Sequence, residues 1–173
     1  MLSNFALERI AKKLELPIIG VFSKDELVDR PRILGSYYIN LMDSDKTDGE
    51  GNNGSHWVFA KIYSDEDRDD EDSDDDSVKK CNALYFDPFG VGMPKDVANF
   101  LKPFTPVYCN NRQIQNINTS QCGWYCILCD YILEHKQDRE SKTYLRDYEK
   151  FLNIWNDEPD KNLTILKRLF KPI

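Results

Sequence analysis

The segment at 120–133, SQCGWYCILCDYIL, constrains the fold most, because its spacing is that of one helix with a buried face. Three cysteines lie at i, i+4 and i+7 of this segment, and Leu133 continues the same stripe. Cysteine is among the most buried residue types, so we predict a helix from about Cys122 to about His135 that turns the stripe to a core. The cysteines are Cys122, Cys126 and Cys129.

The same spacing allows a metal or cluster site, or a single reactive thiol. A zinc site needs a fourth ligand, and the chain offers no Cys-x2-Cys pair with partner histidines. We therefore expect no metal site. A reactive thiol would be Cys122, because unpaired N–H groups at the start of a helix stabilise a thiolate. Gly123 would allow another backbone to approach this nucleophile closely.

A thiol nucleophile needs a base, and the chain has two histidines. His135 would lie at the far end of the predicted helix, roughly 20 Å from Cys122 at the helical rise per residue. His56 remains, at the start of a predicted strand. If the strands at 56–63 and 81–89 pair, Asp87 comes beside His56 and can orient it. The Cys122 N–H and the Gln115 amide could then hold an oxyanion.

The acidity of the chain is local. The run at 64–77 holds ten of the 30 acidic residues and one of the 23 basic ones, so the remainder is near neutral. A run of like charges cannot bury apolar surface, and we predict a disordered loop insertion at 64–78 within a single domain, 1–173. Five cysteines without a signal-peptide core indicate a reducing compartment, not secretion, and no apolar run is long enough to cross a membrane.

The order of the elements predicts an α+β domain. A first helix capped by Ser3 precedes short strand-like segments at 16–22 and 34–42. Further helices are expected at 94–104, 141–155 and 161–171, with extended segments at 105–118. The resulting fold is a small mixed sheet packed against the central helix that carries Cys122.

These residues carry a resemblance. His56-Trp57, the turn FDPFG and the run IQNINTSQCGWYC resemble the adenain-like cysteine proteases of adenoviruses, virophages and Polinton-like elements, which are related to the proteases of ubiquitin-like proteins. The likeness extends over most of residues 5–135. It implies Cys122 as the nucleophile, His56 as the base, Asp87 as its orienting acid and Gln115 in the oxyanion hole.

The resemblance also implies that Trp57 and Gly123 contact the substrate, with Trp57 walling a narrow channel that admits glycine. Cleavage would follow Gly in Gly-Gly or Gly-x-Gly sites of capsid or other virion precursors, in the virion or the interior of an infected cell. No cofactor is implied, although family members use a peptide or DNA as activator. The alternatives are a deconjugating protease for ubiquitin or a related modifier, a non-catalytic capsid-associated protein, and a metal protein.

Overall fold

The computed structural model describes residues 2–46, 56–64, 81–135 and 143–171. These residues form five strands, five α-helices and one short 3₁₀ helix at Lys24–Asp29. The strands are β1 (Ile18–Ser23), β2 (Gly35–Asn40), β3 (Trp57–Ser64), β4 (Cys81–Phe86) and β5 (Val107–Cys109). The helices are α1 (Asn4–Lys13), α2 (Lys95–Leu101), α3 (Cys122–His135), α4 (Tyr144–Asn153) and α5 (Pro159–Phe170).

The strands form one mixed sheet in the order β1-β2-β3-β4-β5. The two outer pairs, β1 with β2 and β4 with β5, are parallel, whereas the two inner pairs are antiparallel. In the β3–β4 ladder, Phe59 lies opposite Phe86 and Ser64 opposite Cys81. The start of β3 and the end of β4 therefore meet at the same edge of the sheet.

A hydrophobic layer covers each face of the sheet, and β3 contributes to both. Trp57 and Phe59 pack against the layer of α1, α3, α4 and α5, while Val58 and Ala60 pack against the layer that contains α2. Since successive side chains of a strand point to opposite faces, a central strand covered on both sides is apolar almost throughout. The predicted α+β class, with a small mixed sheet against a central helix, is confirmed.

Most predicted elements are confirmed within a few residues. The helix expected from Cys122 to His135 has those bounds, and Ser3 caps the first helix through its Oγ, which accepts a bond from the Ala6 N–H at 3.2 Å. The segment at 112–118, expected to be extended, contains no regular strand. No helix among the described residues is long and apolar enough to span a membrane.

The predicted acidic insertion falls mostly outside the described residues. Its first residue is an exception: Ser64 pairs with Cys81 and ends β3, so the expected boundary at 64 is wrong by one residue. Ser64 belongs to the strand because its backbone pairs with that of Cys81 in the antiparallel ladder. The predicted disordered loop at 65–78, like most of the Gly/Asn-rich segment before His56, lies in the part of the chain that is not described.

Candidate active site

Three chain segments bring His56, Asp87 and Cys122 to one edge of the sheet. His56 directly precedes β3, and Asp87 directly follows β4, so the antiparallel pairing of these strands places them side by side. Their side chains meet with 2.6 Å between His56 Nε2 and Asp87 Oδ1. Both are buried, with relative exposures of 9% and 1%. A carboxylate at this distance fixes the orientation of the imidazole ring.

Cys122 is the first residue of α3 and is 2% exposed. Its Sγ accepts a hydrogen bond from the Trp57 N–H at 3.4 Å, which ties the sulfur to the start of β3, next to His56. The first N–H groups of an α-helix lack partners within the helix and favour negative charge nearby. The sulfur therefore lies where a thiolate is stabilised by backbone donors.

The electrostatics of His56 involve both of its neighbours. Burial lowers the pKa of His56, but the hydrogen bond with Asp87 and the interaction with the Cys122 thiol outweigh it and raise the pKa from 6.5 to about 9. The second ring nitrogen, Nδ1, is buried and makes no hydrogen bond of ordinary geometry to the described residues. A ring with one nitrogen bound to a carboxylate and the other free beside a thiol can accept and return a proton.

Asp87 is held by a residue that the sequence analysis missed. Asn110 Oδ1 accepts the Asp87 N–H at 2.9 Å, while Asn110 Nδ2 donates to the Asp87 carbonyl at 2.7 Å. The last backbone pair of the β4–β5 ladder is Tyr85 with Cys109. The Asn110 side chain follows this pair and binds the backbone of Asp87. Asn residues in loops commonly bond to backbone groups, but nothing in the local sequence indicates which backbone Asn110 meets.

The turn after β4 also connects Gln115 to the site. The Pro88 carbonyl accepts N–H bonds from Ile114 at 2.9 Å and from Gln115 at 2.8 Å. The Gln115 side chain is fully buried, and its Nε2 donates to the Thr119 carbonyl at 2.8 Å and hydroxyl at 3.1 Å. Its Oε1 is buried without a hydrogen-bond partner among the described residues. The amide donors therefore point to Thr119 in this structure.

Leu2 covers Trp57 and Gly123, the two residues assigned to substrate contact. Trp57 is fully buried, and its Nε1 donates to the Leu2 carbonyl at 2.9 Å. A Cβ added at Gly123 would lie 3.2 Å from Leu2 Cδ1 and 3.5 Å from Leu7 Cδ2. The space that a glycine leaves at this position is occupied here by the side chains of Leu2 and Leu7.

The other two cysteines of α3 are core residues, as predicted. Cys126 and Cys129 are fully buried, and burial raises the pKa of both thiols well above the ordinary value. The Cys126 thiol donates to the Trp57 carbonyl at 3.4 Å. Among the described residues, no group of three or more His, Cys, Asp or Glu side chains is placed to hold a metal ion.

Comparison with known proteins finds similarity to solved structures but no match in sequence. No protein-family profile and no curated protein matches this chain. The ASFV pS273R protease, known from a crystal structure of its Se-Met form, superposes with a TM-score of 0.46 at 15% sequence identity. The superposition covers 86% of this chain and 61% of that chain, so this chain spans less than two thirds of the protease's length.

Proposed function

We propose that this protein is a cysteine endopeptidase with Cys122 as the nucleophile, His56 as the general base and acid, and Asp87 as the orienting carboxylate. The observation that carries the proposal is the buried 2.6 Å contact between His56 and Asp87, beside a thiol at the first turn of a helix. These groups come from three separate segments of the chain. A buried imidazole–carboxylate pair next to an N-terminal helix thiol is the arrangement that activates a cysteine nucleophile.

In the proposed mechanism, the Cys122 sulfur loses its proton to His56 Nδ1 and attacks the carbonyl carbon of the scissile peptide bond. Asp87 keeps the imidazole in place and stabilises its protonated form through Nε2. His56 then protonates the leaving amine, and a water molecule activated by His56 hydrolyses the thioester to free acid and thiol.

The oxyanion formed by the attack needs donors that point at it. The Cys122 N–H at the start of α3 is one candidate, and the Gln115 amide is the other. Because Gln115 Nε2 donates to Thr119, an N–H of this amide must leave Thr119 before it can bind the oxyanion. The substrate carbonyl would compete for that donor.

We further propose that the substrates are virion precursor proteins, cut after glycine in Gly-Gly or Gly-x-Gly sites. The support is the resemblance of the segments around His56, Asp87 and Cys122 to adenain-like proteases. Trp57 and Gly123 would line the glycine channel once Leu2 moves, since Leu2 now covers both. A peptide or DNA activator would be consistent with a site that is covered at rest.

The thiol–imidazole pair is tested by brief labelling with limiting iodoacetamide near neutral pH, followed by mass spectrometry. We expect Cys122 to be labelled first among the five cysteines, and to lose this lead in His56→Ala. The matched control is His135→Ala, which removes the other histidine at the far end of α3. Slow and equal labelling of all five cysteines would contradict the proposal.

Proteolysis is tested with purified protein and a peptide that contains a Gly-x-Gly site, with and without DNA. We expect Cys122→Ala to lower the rate by a factor on the order of 10⁴ or more while the protein stays folded. Cys109→Ala is the control, because that cysteine is exposed and lies outside the site. Full activity in Cys122→Ala would sink the assignment. Reaction with a ubiquitin vinyl-sulfone probe but not with the peptide would favour the deconjugating alternative.

A further inference from the structure

Phe89 lies directly against the ring of His56. The two ring centroids are 4.0 Å apart and the ring planes differ by 6°, so the phenyl ring is stacked face to face on the imidazole. Phe89 itself is half-buried, whereas His56 is buried. One face of the imidazole is therefore covered by an aromatic ring that also borders solvent.

The backbone of Phe89 binds the partner of His56. Its N–H donates to Asp87 Oδ1 at 2.8 Å, and this is the same oxygen that lies 2.6 Å from His56 Nε2. Phe89 thus contacts both members of the pair, Asp87 through its backbone and His56 through its ring. Since the carboxylate oxygen is bound from two sides, neither Asp87 nor His56 can turn without losing a contact.

The turn that carries Phe89 is itself fixed. The Gly90 N–H donates to the Asp87 carbonyl at 2.8 Å, which closes the turn. Gly90 has a φ of 66°, and a Cβ at this position would lie 2.4 Å from the Arg112 carbonyl carbon. Only glycine combines this conformation with such close backbone packing. The position of the Phe89 ring is therefore set by the fold.

A face-to-face stack has a chemical consequence for an imidazole. The face of a phenyl ring carries partial negative charge, so it attracts a cation placed over it and gains less from a neutral ring in the same parallel arrangement. The titratable groups that face His56 are Asp87 at the end of β4 and the Cys122 thiol at the start of α3. The stacked phenyl ring is a third influence on His56. Like the Asp87 carboxylate, it favours the protonated form of the imidazole.

We propose that Phe89 is a positioning residue for the proposed protease reaction: it fixes the plane of the His56 imidazole between Asp87 and Cys122 and favours its protonated form. This inference rests on the proposed function in that it assigns His56 the role of base and acid. Phe89 acts through His56 and does not need to touch the substrate.

The test compares Phe89→Leu, which keeps an apolar side chain and the backbone N–H, with Phe89→Tyr, which keeps the ring. In Phe89→Leu we expect kcat on the Gly-x-Gly peptide to fall about tenfold with KM unchanged. The pKa of His56, followed by NMR of its ring protons, should fall in the same variant. Phe89→Tyr should restore both values, and Phe5→Leu on the exposed face of α1 is the control.

The outcomes separate this inference from the proposed function. Wild-type kcat and an unchanged His56 titration in Phe89→Leu would overturn the positioning role, and so would a change in KM alone, which would indicate a substrate contact. Equal impairment of Phe89→Tyr would overturn it as well. If the wild-type protein neither cleaves the peptide nor labels first at Cys122, the proposed function fails, and the NMR titration still decides whether the ring acts on His56. Phe89→Met replaces Phe89→Leu if thermal unfolding shows that the latter does not fold.

Discussion

Two buried polar clusters link α3 to the sheet, and they differ in the chemical groups that they bring together. At the start of α3, His56 lies between Asp87 and the Cys122 thiol, and its Nδ1 makes no hydrogen bond of ordinary geometry to the described residues. Eight residues along the same helix, Asp130 Oδ1 accepts from Ser36 Oγ at 2.7 Å, and its Oδ2 accepts from Tyr38 OH at 2.9 Å. We call these the first and the second cluster.

The second cluster also contains Lys61, whose side chain is 2% exposed. Its Nζ donates to Ser36 Oγ at 2.9 Å, lies 3.8 Å from Asp130 Oδ1 and forms an ion pair with Glu134. A charged pair buried between a strand and a helix restricts how the two elements fit together. Both clusters are buried, and the first differs in bringing a thiol and an imidazole together, which is the pair that the proposed function uses.

The largest expected difference between the clusters concerns activity. Asp87→Asn keeps the shape of the side chain but removes the charge that stabilises protonated His56. We expect kcat/KM on the Gly-x-Gly peptide to fall by about 10³- to 10⁴-fold. Asp130→Asn is the matched substitution in the second cluster and should change kcat/KM by no more than a few fold. Similar losses in both variants would remove the functional distinction.

The reverse difference is expected in stability. Asp130→Ala removes the carboxylate that faces Lys61 and leaves the hydroxyls of Ser36 and Tyr38 without their acceptor. Removing one member of a buried ion pair lowers the free energy of unfolding by about 3 kcal/mol. Urea denaturation measures this loss, with Asp87→Asn as the comparison. If Asp130→Ala unfolds at the wild-type urea midpoint, the second cluster does not have the stabilising role assigned to it.

The two clusters should also differ in the pH range in which they affect stability. The pKa of His56 is raised from 6.5 to about 9, so its contribution to stability is fully present below pH 6.5 and is lost as the pH rises through about 9. Burial raises the pKa of Asp130, so its effect falls in the acidic range, where stability decreases as the pH rises. We expect His56→Gln to flatten the curve of unfolding free energy between about pH 6.5 and 9, and Asp130→Asn to change only the acidic part. Denaturation at a series of pH values measures both, and a flat wild-type curve above pH 6.5 would contradict the raised pKa.

The smallest expected effect concerns access to the first cluster. Leu2→Ala should uncover Gly123, which the Leu2 side chain contacts, and lower KM for the Gly-x-Gly peptide by roughly twofold, at a stability cost of about 1 kcal/mol for a half-buried leucine. Leu14→Ala is the matched control, because that leucine is also half-buried against the same layer but lies at the other end of α1. A KM that is unchanged in Leu2→Ala would argue against Gly123 as part of the substrate channel.

The sequence by itself determined the features that depend on local spacing. The stripe of cysteines predicted α3 with its observed bounds, because the 3.6-residue period of a helix is visible in the spacing of residues within one local segment. The pairing of β3 with β4, which are neighbours along the chain, predicted that Asp87 would lie beside His56. The two core cysteines followed from their position on the same stripe.

Only the tertiary structure decided how this pair is supported. The Asn110 clamp on Asp87 depends on β5, a three-residue strand that pairs in parallel with β4 across an intervening helix, and the placement of Leu2 over Trp57 joins residues 55 positions apart. Such contacts are set by the packing of distant segments, and no local pattern of propensity or period encodes them.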